Sequence, residues 1–101
     1  MSAIREEFRG KSLLPGRTVI LHPADAIEMV RQCRDKAVPV YGVDGFYLFP
    51  NEGVQPSMEN SIDLSDASQN LHVRDNCWNR AEEFLEQYRA RDLAFEVVVP
   101  L

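Results

Sequence analysis

The chain has 101 residues, 45% of them hydrophobic and 27% charged, and a formal net charge of −5 at pH 7, which suits one globular domain over residues 1–101. Its apolar runs are only a few residues long, whereas a helix that crosses a bilayer needs about 20 apolar residues. Because the charged N-terminus also lacks the apolar segment of a secretory signal, we expect a cytoplasmic protein with no membrane partner.

The first segment, residues 1–16, has the weakest pattern. Ile4 and Phe8 lie four residues apart, which favours a short helix that ends at the next glycine. The alternative is a flexible N-terminal segment. We expect residues 18–21 to form a short strand or an extended lead-in to the next element.

The clearest helical period covers residues 22–37. Pro23 suits the first turn of a helix, where its missing N–H has no partner to lose. Acidic residues precede basic residues along the segment, an order that complements the helix dipole. We interpret Cys33 as a core residue because it lies on the apolar stripe, which consists of Ala26, Met29 or Val30, Cys33 and Ala37.

Residues 38–50 contain two apolar runs separated by Asp44-Gly45. Asp-Gly between apolar runs predicts a two-residue hairpin turn, because both residues tolerate a positive φ. Both faces of this hairpin are apolar, so we expect the helices to cover one, and the N-terminal segment or a partner to cover the other. The first face holds Tyr41, Val43, Phe46 and Leu48, and the second holds Val38, Val40, Tyr47 and Phe49.

The next segment, residues 50–60, contains two prolines and a glycine, which predicts a loop or a wide turn. Residues 61–65 alternate between polar and apolar side chains, which predicts a third strand. The following polar stretch is irregular, with room for one helical turn.

The last two elements are a helix over residues 75–92, capped by Asp75 or Asn76, and an alternating strand over residues 93–99. The whole order predicts an α+β fold, a mostly antiparallel sheet of about four strands with two main helices packed on one face. The crossover into the last strand leaves one parallel neighbour as an alternative.

The negative charge is concentrated in the middle of the chain. No basic residue occurs between Lys36 and Arg74. Such a field repels nucleic-acid phosphates and attracts a basic protein surface, so we expect no nucleic-acid partner. The alternative is an acidic face that only keeps the protein solvated. The acidic residues of this interval are Asp44, Glu52, Glu59, Asp63 and Asp66.

The sequence contains no recognisable catalytic or metal-binding constellation. Cys33 and Cys77 lie on apolar stripes, as buried thiols of a reducing compartment do. His22 lies at a helix start and His72 in a polar stretch, where packing or capping explains them. The acidic residues of the middle segment lack the spacing of a calcium loop. We therefore predict no catalytic residue, no metal and no cofactor.

Several segments together resemble a known group of proteins. They are the amphipathic helix, the apolar strand that runs into Gly42-x-Asp44, the Ser-Ile-Asp strand and the C-terminal Phe-Glu-Val strand. Over roughly residues 23–99 they resemble small bacterial α+β immunity proteins of polymorphic or contact-dependent toxin systems. The resemblance implies a cytoplasmic, non-enzymatic protein that neutralises a toxin domain by direct binding. Its matching pieces include Asp44 and the strand Ser61–Asp66.

Two hypotheses of function follow, from different classes. The first is a protein-binding module that presents an acidic surface to a basic partner, in its most specific form a toxin domain. The second is a small enzyme or ligand-binding protein with a site near the 42–49 hairpin. There Asp44 would act with His72 or Tyr47, in a concave pocket and with a shifted pKa. A homodimer through the spare hairpin face or a sheet edge is compatible with both. The candidate partner-binding residues are Tyr41, Asp44, Tyr47, Glu52, Glu59, Asp63 and Asp66.

Overall fold

A computed structural model describes residues 3–14, 16, 18–49, 53–64, 71–89 and 93–100. Within these residues the chain forms three helices and three strands. The helices are α1 (Ala3–Arg9), α2 (Pro23–Asp35) and α3 (Leu71–Glu86), and the strands are β1 (Gly42–Phe49), β2 (Gly53–Asp63) and β3 (Leu93–Val98).

The sheet has the order β2-β1-β3, and both pairs of neighbouring strands are antiparallel. A fourth extended segment adds one isolated bridge, in which Leu21 and Phe95 exchange two backbone hydrogen bonds of 2.8 Å. The antiparallel α+β fold is therefore confirmed. The alternative of a parallel neighbour for the last strand is wrong, because β3 runs antiparallel to β1.

The core lies between the helices and one face of the sheet. On the α3 side, the rings of Phe84 and Tyr88 lie 6.0 and 5.6 Å from the ring of Phe95 on β3, measured between centroids. This arrangement confirms the prediction that two main helices pack on one face. The same buried cluster includes residues of all three helices and of two strands: Ile4 and Phe8 of α1, Ile27, Val30 and Cys33 of α2, Cys77, Ala81 and Leu85 of α3, Val43 of β1, and Phe95 and Val97 of β3.

Both cysteines are free and fully buried. The backbone N–H of Val40 donates a hydrogen bond of 3.4 Å to the Cys77 sulfur. Burial raises the pKa of the Cys33 thiol to about 12, and the nearby Cys77 contributes to the rise. The interpretation of Cys33 as a core residue is therefore confirmed. In the described part of the chain, no helix is both long enough and apolar enough to cross a membrane.

Helix α2 ends earlier than the periodicity predicted. The N–H of Val38 donates to the Cys33 carbonyl at 2.8 Å, and the N–H of Ala37 donates to the Arg34 carbonyl at 3.1 Å. This pattern is a Schellman ending, which requires a left-handed residue just past the helix. Ala37 has a φ of 55° and is exposed, so its assignment to the apolar stripe is wrong.

The predicted turn at Asp44-Gly45 is also wrong, because both residues lie inside β1. Asp44 pairs with Glu96 and Gly45 pairs with Phe95 across β3. The glycine is needed for space rather than for a positive φ. A Cβ atom built on Gly45 would overlap the carbonyl oxygen of Asn60 on β2.

Strand β2 begins where the sequence predicted a loop, and that prediction is wrong from Gly53 onward. Gly53 pairs with Phe49, so the chain reverses between these two residues. The alternating segment around Ile62 is the far end of the same strand. Helix α3 likewise begins at Leu71, four residues before the predicted Asp75. The loop prediction for residues 53–60 failed because the pairing of β2 with β1 overrides the loop propensity of proline and glycine.

A large bulge interrupts the pairing of β1 with β2. Val43 pairs with Ile62 and Gly45 pairs with Ser57, so two steps along β1 match five steps along β2. The bulge is held by side-chain hydrogen bonds. The N–H of Gly45 donates to the Ser61 hydroxyl at 2.9 Å, and that hydroxyl donates to the Ser57 carbonyl at 2.8 Å.

We expect Gly45→Ala to lower the free energy of unfolding by about 2 kcal/mol, because an added methyl group must displace the β2 backbone. Urea denaturation of the purified variant measures this change. Gly10→Ala is the matched control, since a Cβ at Gly10 meets no atom within 4 Å. An unfolding free energy for Gly45→Ala equal to that of the Gly10→Ala control would contradict the close packing of β2 on β1.

Candidate functional site

Three carboxylates lie on the face of the sheet that points away from α2 and α3. Asp44 and Glu96 are direct cross-strand partners, and Asp63 pairs with Gly42, two residues before Asp44. Side chains alternate along a strand, so Gly42 and Asp44 share a face, while the buried Val43 points to the helices. We call Asp63, Asp44 and Glu96 the carboxylate row.

A cleft of about 450 Å³ opens beside two members of this row. Asp44 and Asp63 are exposed at the cleft, whereas Ile62 and Val98 are partly buried and contribute apolar walls. We call this concavity the acidic cleft. It is lined by Tyr41, Gly42, Asp44, Ser61, Ile62, Asp63 and Val98.

The β2 bulge and Gly42 shape the acidic cleft. Ser61 lines the cleft, and its hydroxyl is held by its bonds to the Gly45 N–H and the Ser57 carbonyl. A Cβ on Gly42 would lie 3.0 Å from the Ile62 carbonyl oxygen, so a side chain at this position would press on the β2 backbone. Bulges of this kind redirect side chains beside functional sites, and here the bulge brings Ser61 and Asp63 next to Asp44.

The carboxylates of the row affect one another. Burial raises the pKa of Asp44, and the negative charge of Asp63 raises it further. Burial also raises the pKa of Glu96, an effect that Arg5 opposes and Asp44 reinforces. Arg5 of α1 approaches Glu96 with an Nη2–Oε2 distance of 3.7 Å. At the Glu96 end of the row the cation of Arg5 lies nearby, and the Asp63 end borders the cleft.

The structure brings three of the predicted partner-binding residues together, since Tyr41, Asp44 and Asp63 all line the acidic cleft. Tyr47 lies on the opposite face of β1, where its side chain is 39% exposed and its hydroxyl lies 3.5 Å from the Asn60 amide nitrogen. Glu59 is exposed on the β2 bulge and does not line the cleft. Glu52 and Asp66 lie outside the described residues.

The suggested pairing of Asp44 with Tyr47 is wrong, because three residues separate them in β1 and alternation puts them on opposite faces. The side chain of His72 lies outside the described part of the structure. The ligand-binding hypothesis required concave surroundings and a shifted pKa of Asp44. Asp44 lines a cleft, where burial and then the charge of Asp63 raise its pKa.

Sequence reasoning did not select Glu96 or Ser61 as site residues. Glu96 had a detectable signal, since it is the only charged residue in the apolar run from residue 93 to the C-terminus. Ser61 belongs to the Ser61–Asp66 segment of the resemblance, but its place at the site depends on the bulge in the pairing of β2 with β1, which the local pattern did not predict.

The acidic cleft suits an organic cation with an aliphatic stem. Ionised carboxylates accept charge-assisted hydrogen bonds from guanidinium or ammonium groups. Apolar walls cover the methylene groups that Arg and Lys side chains carry behind their charge. Among the described residues, no group of three or more His, Cys, Asp or Glu side chains is arranged to hold a metal ion.

An apolar groove of about 320 Å³ lies elsewhere, between the start of α1, the end of α2 and Pro100. Lys36 is the charged residue of its lining, and its Nζ atom lies 3.6 Å from a carboxylate oxygen of Glu7. A further concavity between α2 and α3 contains Glu82, whose carboxylate contacts Arg31 and Arg34 at 3.2 and 3.3 Å. That concavity is lined by three carboxylates, Glu82, Glu83 and Glu86, together with Arg34, whereas the described lining of the acidic cleft has two carboxylates and no basic residue.

We expect Asp44→Asn to stabilise the fold at pH 7 and to have no such effect near pH 3. A raised pKa means that the folded state binds the proton more tightly, so the unfolding free energy falls as the pH rises from about 4 through the folded-state pKa. Asparagine does not titrate, so Asp44→Asn avoids this fall in the free energy of unfolding. The gain should stay below about 1 kcal/mol, because solvent screens an exposed carboxylate.

Denaturation at both pH values measures this prediction, with Glu83→Gln on α3 as the control that removes one exposed negative charge away from the cleft. A gain for Asp44→Asn that persists at the lower pH, or a net loss at pH 7, would count against a carboxylate destabilised by burial and by Asp63.

No protein-family model matches the chain, and no curated protein sequence matches it. The resemblance to bacterial immunity proteins therefore stays a prediction that depends on the quoted segments alone. The geometry of the acidic cleft supports a functional argument independently of that resemblance, because the argument uses only the chemistry of carboxylates beside apolar walls.

Proposed function

We propose that the protein is a binding module that receives an arginine or lysine side chain of a basic protein partner in the acidic cleft. The observation that carries this proposal is the convergence of Asp44 and Asp63 on one cleft between apolar walls. Both carboxylates lie on the face away from α2 and α3 and are exposed, so an approaching surface can reach them.

The energetics favour a cation that the partner supplies. Two neighbouring carboxylates repel each other, and a bound cation relieves that repulsion. A hydrogen bond to a charged group contributes about 1.5–3 kcal/mol, and burial of a side-chain stem against Ile62 and Val98 adds to it. The exposed Glu59 on the neighbouring bulge extends the negative field, which speeds the encounter with a basic surface.

A small cationic ligand is the second candidate, favoured by the volume of the cleft. About 450 Å³ lies within the range of small-molecule sites. A protein partner requires only the side-chain cation, whereas a small ligand would be recognised as a whole molecule. The two candidates therefore differ in how they respond to blocked and free forms of the same amino acid.

We expect N-acetyl-arginine amide to bind at the acidic cleft in low-salt buffer, because it presents a guanidinium without other charges. An NMR titration should shift the backbone amides of Gly42, Asp44, Ser61, Asp63 and Val98. The shifts should decrease as salt is added, since salt screens the exposed carboxylates. N-acetyl-citrulline amide, which has nearly the same shape but no charge, should leave these amides unchanged.

The decisive variant is Asp44→Asn/Asp63→Asn, which should abolish the shifts. Its matched control is Glu28→Gln/Glu83→Gln, which changes the net charge equally at two exposed helix positions and should bind normally. Equal shifts with the citrulline compound, or normal binding by Asp44→Asn/Asp63→Asn, would refute the proposal. Much stronger binding of free arginine than of the blocked form would favour the small-ligand candidate.

In its finer form the proposal is that the partner is a toxin domain and the protein acts in the bacterial cytoplasm as its non-enzymatic inhibitor. Its support is the sequence resemblance together with the fit of an acidic cleft to a basic partner. We expect a toxin gene beside the gene for this chain, and co-expression of the two should restore bacterial growth. Growth rescue should weaken in Asp44→Asn/Asp63→Asn, and full rescue by this variant would separate inhibition from the cleft.

A further inference from the structure

The Arg5–Glu96 ion pair lies at the β3 end of the carboxylate row. The acidic cleft lies at the other end. Arg5 belongs to α1, and the flanking Ile4 and Phe8 are buried in the core, so the guanidinium is carried by an anchored helix. The side chains of Arg5 and Glu96 are only 21% and 22% exposed. Solvent and salt therefore screen this pair less than they would screen a fully exposed one.

Glu96 is electrostatically linked to the acidic cleft through Asp44. The two residues are directly opposite each other on β3 and β1, a position in which cross-strand side chains lie about 5 Å apart at Cβ. An uncompensated charge on Glu96 would add to the negative potential that attracts a cation to Asp44. The neighbouring Arg5 compensates that charge, so it reduces the contribution of Glu96.

We propose that Glu96 is a third carboxylate of the cation site and that Arg5 masks it, so that the position of Arg5 sets the affinity of the acidic cleft. This inference rests on the proposed binding of a cation at Asp44 and Asp63. It assigns a regulatory role to α1, since any event that moves Arg5 away from Glu96 exposes a further negative charge to the bound partner.

The test compares the affinities of four variants for N-acetyl-arginine amide, in low-salt buffer. Arg5→Met retains an apolar stem but removes the charge, and should tighten binding about threefold. Glu96→Gln removes the negative charge of Glu96 while the positive charge of Arg5 stays beside the row, and should weaken binding by a similar factor. Arg5→Met/Glu96→Gln should bind like the wild type, because it removes one positive and one negative charge together. Arg5→Lys keeps the charge and should also bind like the wild type.

A second measurement does not depend on the ligand. The pKa of the Glu96 carboxyl, followed by NMR, should rise in Arg5→Met and return toward the wild-type value in Arg5→Lys. If Arg5→Met fails to fold, which thermal melting would reveal, Glu96→Gln and Arg5→Lys still carry the test.

The outcomes separate this inference from the proposed function. Wild-type binding that depends on Asp44 and Asp63 but is unchanged in Arg5→Met and Glu96→Gln would overturn the masking role and leave the cation site intact. A Glu96 pKa that is unaffected by Arg5→Met would overturn the masking role as well. If neither the wild type nor Arg5→Met binds the arginine compound, both proposals fail.

Discussion

The carbonyl oxygen of Asn60 occupies the space in which any residue other than glycine at position 45 would place its Cβ atom. This contact lets the β2 bulge lie directly against β1, where the Gly45 N–H and the hydroxyl of Ser61 fasten it. The bulge in turn turns Ser61 and Asp63 toward Asp44. Without a glycine at this position the two strands would separate, and the acidic cleft would lose one of its walls.

One face of the sheet packs in the core, and the other face carries the candidate site. One face is covered by α2 and α3, with Val43 and Phe95 fully buried. The other face carries the carboxylate row, in which Arg5 pairs with Glu96 at one end and the acidic cleft lies at the other.

Local patterns predicted helix α2 and strand β3 well. The apolar stripe of α2 and the alternation of β3 indicate which of their side chains pack in the core. They failed at Asp44-Gly45, where a strong turn signal lies inside a strand, and at residues 53–60, where proline and glycine lie in an edge strand. In both cases strand pairing satisfies the backbone and overrides local preference, with β3 for Asp44-Gly45 and with the neighbouring β1 for residues 53–60. Ala37 is a third case, since the helix ends there in a left-handed conformation that usually selects glycine.

The sequence by itself determined the α+β class, the buried cysteines and the acidic character of the middle segment, because composition and periodicity decide which side chains avoid water. Tyr41, Asp44 and Asp63 were three of its seven candidate partner-binding residues, and the structure places these three at one cleft. Only the tertiary structure decided that Asp44 lies in a strand rather than at a turn, that Tyr47 lies on the opposite face, and that Glu96 and Ser61 join the site. These placements depend on strand register and on the bulge, which are set by contacts between residues far apart in the chain.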